Sequence, residues 1–159
     1  MSDGDMIFNI PAKNTVKKQL EYGDYDCTIE DVSGGKQDNG YFVVTLQTTL
    51  TEDNGKTHKH WQKVPLPIDP VDPDTGGPLK DNDGNVRNAP NTFFIWKNIF
   101  AWAGMPDAIS RRDDGSLDIP ALDLVNASGR VHVGKGRKWV TPEGEDRTPS
   151  TIDKWYVQD

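Results

Sequence analysis

Two stretches of this chain carry residues whose types and spacing could do chemistry. Residues 55–64 read GKTHKHWQKV, with three lysines, two histidines, one tryptophan and no acid. Residues 129–141 read GRVHVGKGRKWVT and hold Arg130, His132, Lys135, Arg137, Lys138 and Trp139, again with no acid. Extended to residue 66, the first stretch and the second together hold seven of the 18 lysines and arginines, all three histidines, and none of the 25 acidic residues. The remainder carries eleven basic against 25 acidic residues, a balance of -14 within a chain of net charge -7. Cations that neutralise phosphates, interleaved with indole rings that stack on bases, are the ingredients of a single-stranded nucleic-acid groove.

The same residues admit other chemistry. His58 and His60, two apart on an extended segment, with His132 as a third ligand, would make a three-histidine zinc site with an open catalytic position. No cysteine or carboxylate ligand stands close to them in sequence, and a solvated or hydrogen-bonding pair is the plainer reading, so no metal is assigned. Asp72, Asp74, Asp81 and Asp83 invite a calcium loop, but Asp83 occupies the twelfth position, where a bidentate glutamate is required. An acidic surface loop, able to fold over a basic groove and compete with DNA, is the alternative use. There is no Gly-x-Ser-x-Gly elbow and no phosphate-binding Gly-x-x-x-x-Gly-Lys loop. Cys27 falls on the inward row of a strand. The reading is therefore a binding protein, not an enzyme, with no cofactor.

These residues need elements to position them. A chain of 159 residues is long enough for one domain with one core. A single cysteine excludes an internal disulfide and fits a reducing compartment. The opening MSDGDMIFNIPAKN lacks a basic segment followed by an apolar run, and no apolar stretch approaches the roughly 20 residues that cross a bilayer. The expectation is a soluble cytoplasmic protein with no membrane partner.

Residues 1–20 form an N-terminal arm, and residues 21–159 the domain. YGDYDCTIEDV (22–32) alternates, with Tyr25, Cys27 and Ile29 on one face. SGGKQDNG (33–40) reads as a turn-rich loop, and YFVVTLQTTLT (41–51) as a β-branched strand with Phe42, Val44, Leu46 and Leu50 together. Asp53-Asn54-Gly55 signals a hairpin into a third strand at 56–66. Residues 67–90, with five prolines and five aspartates, form a long acidic loop. NTFFIWKNIFAWAG (91–104) predicts a mostly buried helix, started by Asn91 or Thr92 and stopped by Gly104. ALDLV (121–125) has no assigned type; 129–140 and 150–158 read as the fourth and fifth strands.

The fold class is mainly β: a five-stranded OB-type antiparallel barrel with one helix between strands 3 and 4. In such a barrel, strands 2 and 3 form the ligand face, and the loops after strands 1 and 4 border it. That places Lys36, Tyr41, Lys56, Lys59, Trp61, Lys63, Arg130, Lys135, Arg137, Lys138 and Trp139 around one groove. Lys59, Trp61 and Lys63 share one strand face, and His58, His60 and Gln62 the other. Against this stands a structural use of each tryptophan. Trp61 would cover the core, and Trp139 would continue the row of Val131 and Val133 unless the Gly134–Gly136 pair changes the phase.

The order of these segments resembles a family of tailed-phage proteins associated with single-stranded DNA binding by an OB fold. YGDYDCTIEDV is similar to the family's opening Gly-x-Tyr strand, and GYFVVTLQTTL and GKTHKHWQKVPL to its second and third. WKNIFAWAGMPDA resembles its helix ending in Ala-Gly, GRVHVGKG its Gly-Arg/Lys-x-x-Val strand, and KWYV its last strand. The resemblance covers about residues 21–157. It implies single-stranded DNA binding with little sequence preference, as a replication or recombination accessory protein in the host cytoplasm, with phage or host replication and recombination proteins as partners. It neither requires nor excludes an oligomer. The rival is a phage adaptor or inhibitor that uses Trp61 as a protein-interface hot spot.

Overall fold

The computed structural model describes residues 7, 9, 20–136, 139–140, 146–147 and 149–158. Of the N-terminal arm, only Ile7, Asn9 and Leu20 are among them. Five strands form one antiparallel sheet: β1 (Gly23–Lys36), β2 (Phe42–Thr51), β3 (Thr57–Pro65), β6 (Ser128–Lys135) and β9 (Ser150–Trp155), in the order β3-β2-β1-β6-β9. Two small ladders lie outside it. One joins β4 (Ser110–Arg111) to β5 (Leu117–Asp118), the other β7 (Trp139–Val140) to β8 (Asp146–Arg147).

Alternation sets the inner face. Tyr25, Cys27 and Ile29 of β1, Val44, Leu46 and Leu50 of β2, Val64 of β3, Val131 and Val133 of β6, and Ile152 and Trp155 of β9 are buried together. Thr48, also fully buried, donates its hydroxyl to the His60 carbonyl. Burial pushes the Cys27 thiol up to about 12, so it stays protonated.

The glycine-rich segment after residue 32 does not form the expected loop. β1 runs on to Lys36, paired with β2 throughout, and only residues 37–41 turn the chain. The register shifts between Ile29 and Asp31, a bulge with Glu30 as the extra residue. Val32 is thereby returned to the core, and Glu30 and Asp31 both stand on the outer face.

The expected barrel is not closed by hydrogen-bonded strands, because no ladder joins β3 to β9. A side chain stands between these two edges instead. Gln62 Oε1 accepts the Ile152 N–H at 2.9 Å, and its Nε2 donates to Thr151 Oγ1 at 2.9 Å. The amide thus serves as a peptide unit across a gap too wide for a direct ladder. His60 Nε2 lies 2.8 Å from the same Oε1 and donates to it as the neutral ring. Burial holds the His60 imidazole below its ordinary value near 6.5. The folded state therefore binds fewer protons than the unfolded one. This contribution to stability is complete above the ordinary value and is lost as pH falls below it. Urea midpoints should fall between about pH 7.5 and 5.5, and His60→Gln should flatten that part of the profile. An unchanged profile would show that the ring does not titrate with folding.

Among the described residues the one α-helix, α1 (Phe93–Trp102), follows β3. Contrary to the expectation of a single helix between strands 3 and 4, the helix alone does not bridge to the next strand of the main sheet. The β4–β5 ladder and a 3-10 turn at Ala121–Leu124, the segment without an assigned type, come after it. Trp96, Ile99, Phe100 and Trp102 are buried, whereas Phe94 and Ile95 face outward. Thr92 occupies the N-cap position but makes no side-chain cap. Its hydroxyl donates to the Pro65 carbonyl at 2.6 Å, which also accepts from Trp96 Nε1 at 2.9 Å. The end of β3 is thus tied to the start of α1. At the other end, Trp102 Nε1 donates to the Arg130 carbonyl, and a Cβ on Gly129 would stand 2.5 Å from that nitrogen. Only glycine lets β6 pass under this indole. Gly104, at φ 80°, stops the helix as expected.

Residues 67–90 fold on themselves. The carboxylate of Asp72 accepts the amides of Asp74 and Thr75, and that of Asp81 the amides of Asp83 and Asn85. These carboxylates hold turns. The loop is fastened at Gly40, whose carbonyl accepts the Val71 N–H at 3.0 Å. A Cβ on Gly40 would lie 1.9 Å from the Val71 carbonyl oxygen. No helix among the described residues is long and apolar enough to cross a membrane.

Candidate nucleic-acid interface

The outer face of β2 and β3 is where the predicted residues meet. The register pairs Lys63 with Thr45, Trp61 with Gln47 and Lys59 with Thr49. On β1 those β2 residues face Ser33, Asp31 and Thr28. Trp61 therefore lies in one row with Lys59 and Lys63, about 7 Å from each along the strand. Its side chain is not spent on the core, since the residue is 55% exposed. An indole held on a strand with that much surface open presents a ring face to a flat partner.

Hairpin chemistry fixes this row. Gly55 at φ 92° closes the turn, Glu52 N–H donates to the Lys56 carbonyl, and Asn54 Oδ1 accepts the Lys56 N–H. A slip of one residue would exchange the Lys59–Trp61–Lys63 row with the His58–His60–Gln62 row. The second row is held inward. His58 lies 2.8 Å from Glu52 Oε2 and edge-on to Tyr25, and His60 meets Gln62.

Charge is less segregated in space than along the chain. Neighbouring strands supply carboxylates to several of the cations. Lys59 is bound by Glu30 Oε2 and donates to Thr49 Oγ1, whose hydroxyl in turn donates to Glu30 Oε1 at 2.6 Å. The Lys59 ammonium, with the Thr49 hydroxyl, holds the Glu30 carboxyl below the ordinary carboxylate range. Arg130 lies 2.9 Å from Asp53 and 3.3 Å from Asp26, and Asp53, more than Asp26, raises its already high value. His132 pairs with Asp153 at 2.6 Å on the outer face, two strands away from β2. The three histidines thus have separate partners. Among the described residues no three histidine, cysteine, aspartate or glutamate side chains gather as metal ligands.

The two basic segments do not lie side by side. β2 and β1 separate β3 from β6, and Arg130 is engaged by β1 and by the β2–β3 turn. Lys36 ends β1, exposed, and Tyr41 stands half-exposed just before β2, its N–H donated to Asn39 Oδ1. Lys56 is exposed in the hairpin turn, and Lys135 is exposed at the end of β6 opposite Ser150. Arg137 and Lys138 lie outside the described residues. Trp139 does not continue the row of Val131 and Val133, for β6 ends at Lys135 and the backbone of Trp139 pairs with Arg147 in the separate ladder. Its side chain lies outside the described residues.

Sequence reasoning missed Gln47, Thr45 and Thr49 of β2, and Glu30 and Asp31 of β1. The first three are the polar members of an alternating strand, a signal present in FVVTLQTTLT. Glu30 falls on the outer face by the alternation of β1, and only Asp31 needed the bulge. One surface thus carries a solvent-facing tryptophan between two lysines, with polar side chains opposite it. Comparison with known proteins leaves the argument to this geometry: the chain matches no protein-family model and no curated protein sequence.

Proposed function

We propose that this chain binds single-stranded DNA with little sequence preference, on the outer face of β2 and β3. The observation that carries the reading is Trp61, open to solvent between Lys59 and Lys63 on a sheet strand. Stacking accepts any base, and the flanking ammonium groups accept the backbone. The strand order supports an OB-type reading. β1 pairs with both β2 and the fourth sheet strand, β9 follows that strand, and the open seam falls between β3 and β9. In such a fold the turn at residues 37–41 and the segment after Lys135 border the same face. The phage setting, a replication or recombination accessory role in a host cytoplasm, rests on the resemblance of residues 21–157 to the tailed-phage family.

The test is an anisotropy titration of a labelled oligothymidine at two salt concentrations. With Lys63 open and Lys59 exchanging Glu30 for phosphate, a log–log salt slope of roughly -1 to -2 is expected, at about -0.7 per phosphate contact. Lys63→Gln should flatten it by about 0.7. No binding at low salt would overturn the reading.

A second reading has an observation of its own. The ion pairs Lys59–Glu30 and Arg130–Asp53 leave an exposed indole on a face that is largely self-neutralised, which suits an adaptor that uses Trp61 as an interface anchor. Binding of a protein partner that is lost in Trp61→Ala and insensitive to salt would favour it.

A further inference from the structure

The outer face of the sheet is polarised across its strands. β3 presents Lys59 and Lys63, and β2 presents the neutral Thr45, Gln47 and Thr49. β1 presents Asp24, Asp26, Glu30 and Asp31. Adjacent strands lie about 4.8 Å apart, so the backbones of β3 and β1 are separated by roughly 10 Å; the Lys59 and Glu30 side chains reach across that gap, and among the described residues no ion pair joins Lys63 to Asp31. A nucleic-acid strand has a matching asymmetry: an anionic backbone on one side, and base edges, some bearing amino groups, on the other. Phosphates laid along β1 would meet Asp24 and Asp31, which no cation pairs among the described residues, beside Asp26 and Glu30, which Arg130 and Lys59 already hold.

Resting on the single-stranded-DNA reading, we propose that the sugar–phosphate track runs along β3, with the base stacked on Trp61 turned toward β1. There Gln47 and Asp31 meet its edge, and the site favours cytosine over thymine. Asp31, Gln47 and Trp61 are consecutive partners across the three strands. The bulge that adds Glu30 brings Asp31 to the outer face. Asp31 Oδ1 accepts the N–H of Val32 at 2.9 Å, and among the described residues its Oδ2 takes no hydrogen bond. Glu30 is already occupied by Lys59 and Thr49. A carboxylate oxygen only accepts, so where it meets the 4-position it pairs with the exocyclic amino group of cytosine and repels the O4 of thymine, whose donor on that edge, N3–H, sits beside that oxygen. Gln47 can donate or accept and tolerates either base. Thus Asp31 sets a base preference, and Lys63 holds the backbone whatever the sequence.

The experiment compares labelled oligodeoxycytidine and oligodeoxythymidine of about 15 nucleotides, by anisotropy at fixed salt, on the wild-type chain, Asp31→Asn and Lys63→Gln. Asn keeps an oxygen for the Val32 N–H, so the fold is not at issue. The proposal expects oligodeoxycytidine to bind roughly 3- to 10-fold tighter than oligodeoxythymidine, with that gap closing in Asp31→Asn. Lys63→Gln should weaken both alike. Equal binding, or tighter oligodeoxythymidine binding by the wild type, would overturn the orientation and leave the DNA reading standing. So would a gap that survives in Asp31→Asn. Failure of both oligonucleotides to bind would remove the DNA reading and this orientation with it.

Discussion

Trp61→Ala is expected to lower affinity for single-stranded DNA by roughly 10- to 100-fold, since stacking on one aromatic ring is worth about 1–3 kcal/mol. The residue is more than half open to solvent, and its strand is fixed by Thr48, Gln62 and the hairpin turn, none of which needs the indole. Urea stability should therefore stay within about 0.5 kcal/mol of the parent, as for surface substitutions generally. Trp61→Phe should keep most of the affinity, because a ring remains to stack, whereas Trp61→Leu should not. The oligonucleotide should carry the label, because the substitution removes the indole whose fluorescence would otherwise be followed. An unchanged affinity in Trp61→Ala would take away the one observation on which the proposed function stands. The adaptor reading would then be tested by capture with the parent and the Trp61→Ala chains side by side.

The second large effect falls on folding. Trp96→Ala should destabilise the protein by about 3–5 kcal/mol, the range for removing a buried tryptophan, and most single domains have only about 5–15 kcal/mol to lose. Trp96 is fully buried beside Phe100, and its Nε1 donates to the Pro65 carbonyl at 2.9 Å. The substitution empties the largest fully buried side chain from the core and cuts one of the two ties between α1 and the end of β3. Trp96→Phe refills most of the volume and loses only the hydrogen bond, so its cost should be about 1 kcal/mol. Urea denaturation by circular dichroism reads both. A loss below about 1 kcal/mol in Trp96→Ala would mean that the sheet holds its core without the helix. The pair of variants also protects the functional test, since the face proposed to bind DNA lies on the other side of the sheet. Trp96→Phe should bind oligonucleotide like the parent.

Much of the fold was legible because it depends on local rules. The alternation in YGDYDCTIEDV and YFVVTLQTTLT assigned the buried faces of β1 and β2, and Asp53-Asn54-Gly55 placed the hairpin that puts Lys59, Trp61 and Lys63 in one row. Gly104 stopped the helix where expected. The misreadings came from interactions distant in sequence. SGGK reads as loop because its glycines are conformationally free, but pairing with β2 holds it as strand. ALDLV has no period, and its turn is shaped by Leu124 docking into the core and by the exchange of hydrogen bonds between Ile29 and residues 126–127. Thr92 looks like a helix cap in sequence, and the Pro65 carbonyl, 27 positions earlier, claims its hydroxyl.

By itself the sequence determined which side chains could face a ligand, because strand periodicity is a property of the backbone. Trp61 and its lysines followed from counting by two. Only the tertiary structure decided what those side chains meet. The apparent segregation of charge along the chain dissolves where Glu30 reaches Lys59 and where Asp26 and Asp53 reach Arg130, since the sheet brings Arg130 against Asp26, 104 positions away. The seam between β3 and β9 was likewise invisible in sequence. Whether five strands close depends on the curl of the whole sheet, and here one glutamine side chain spans the gap that the backbones leave.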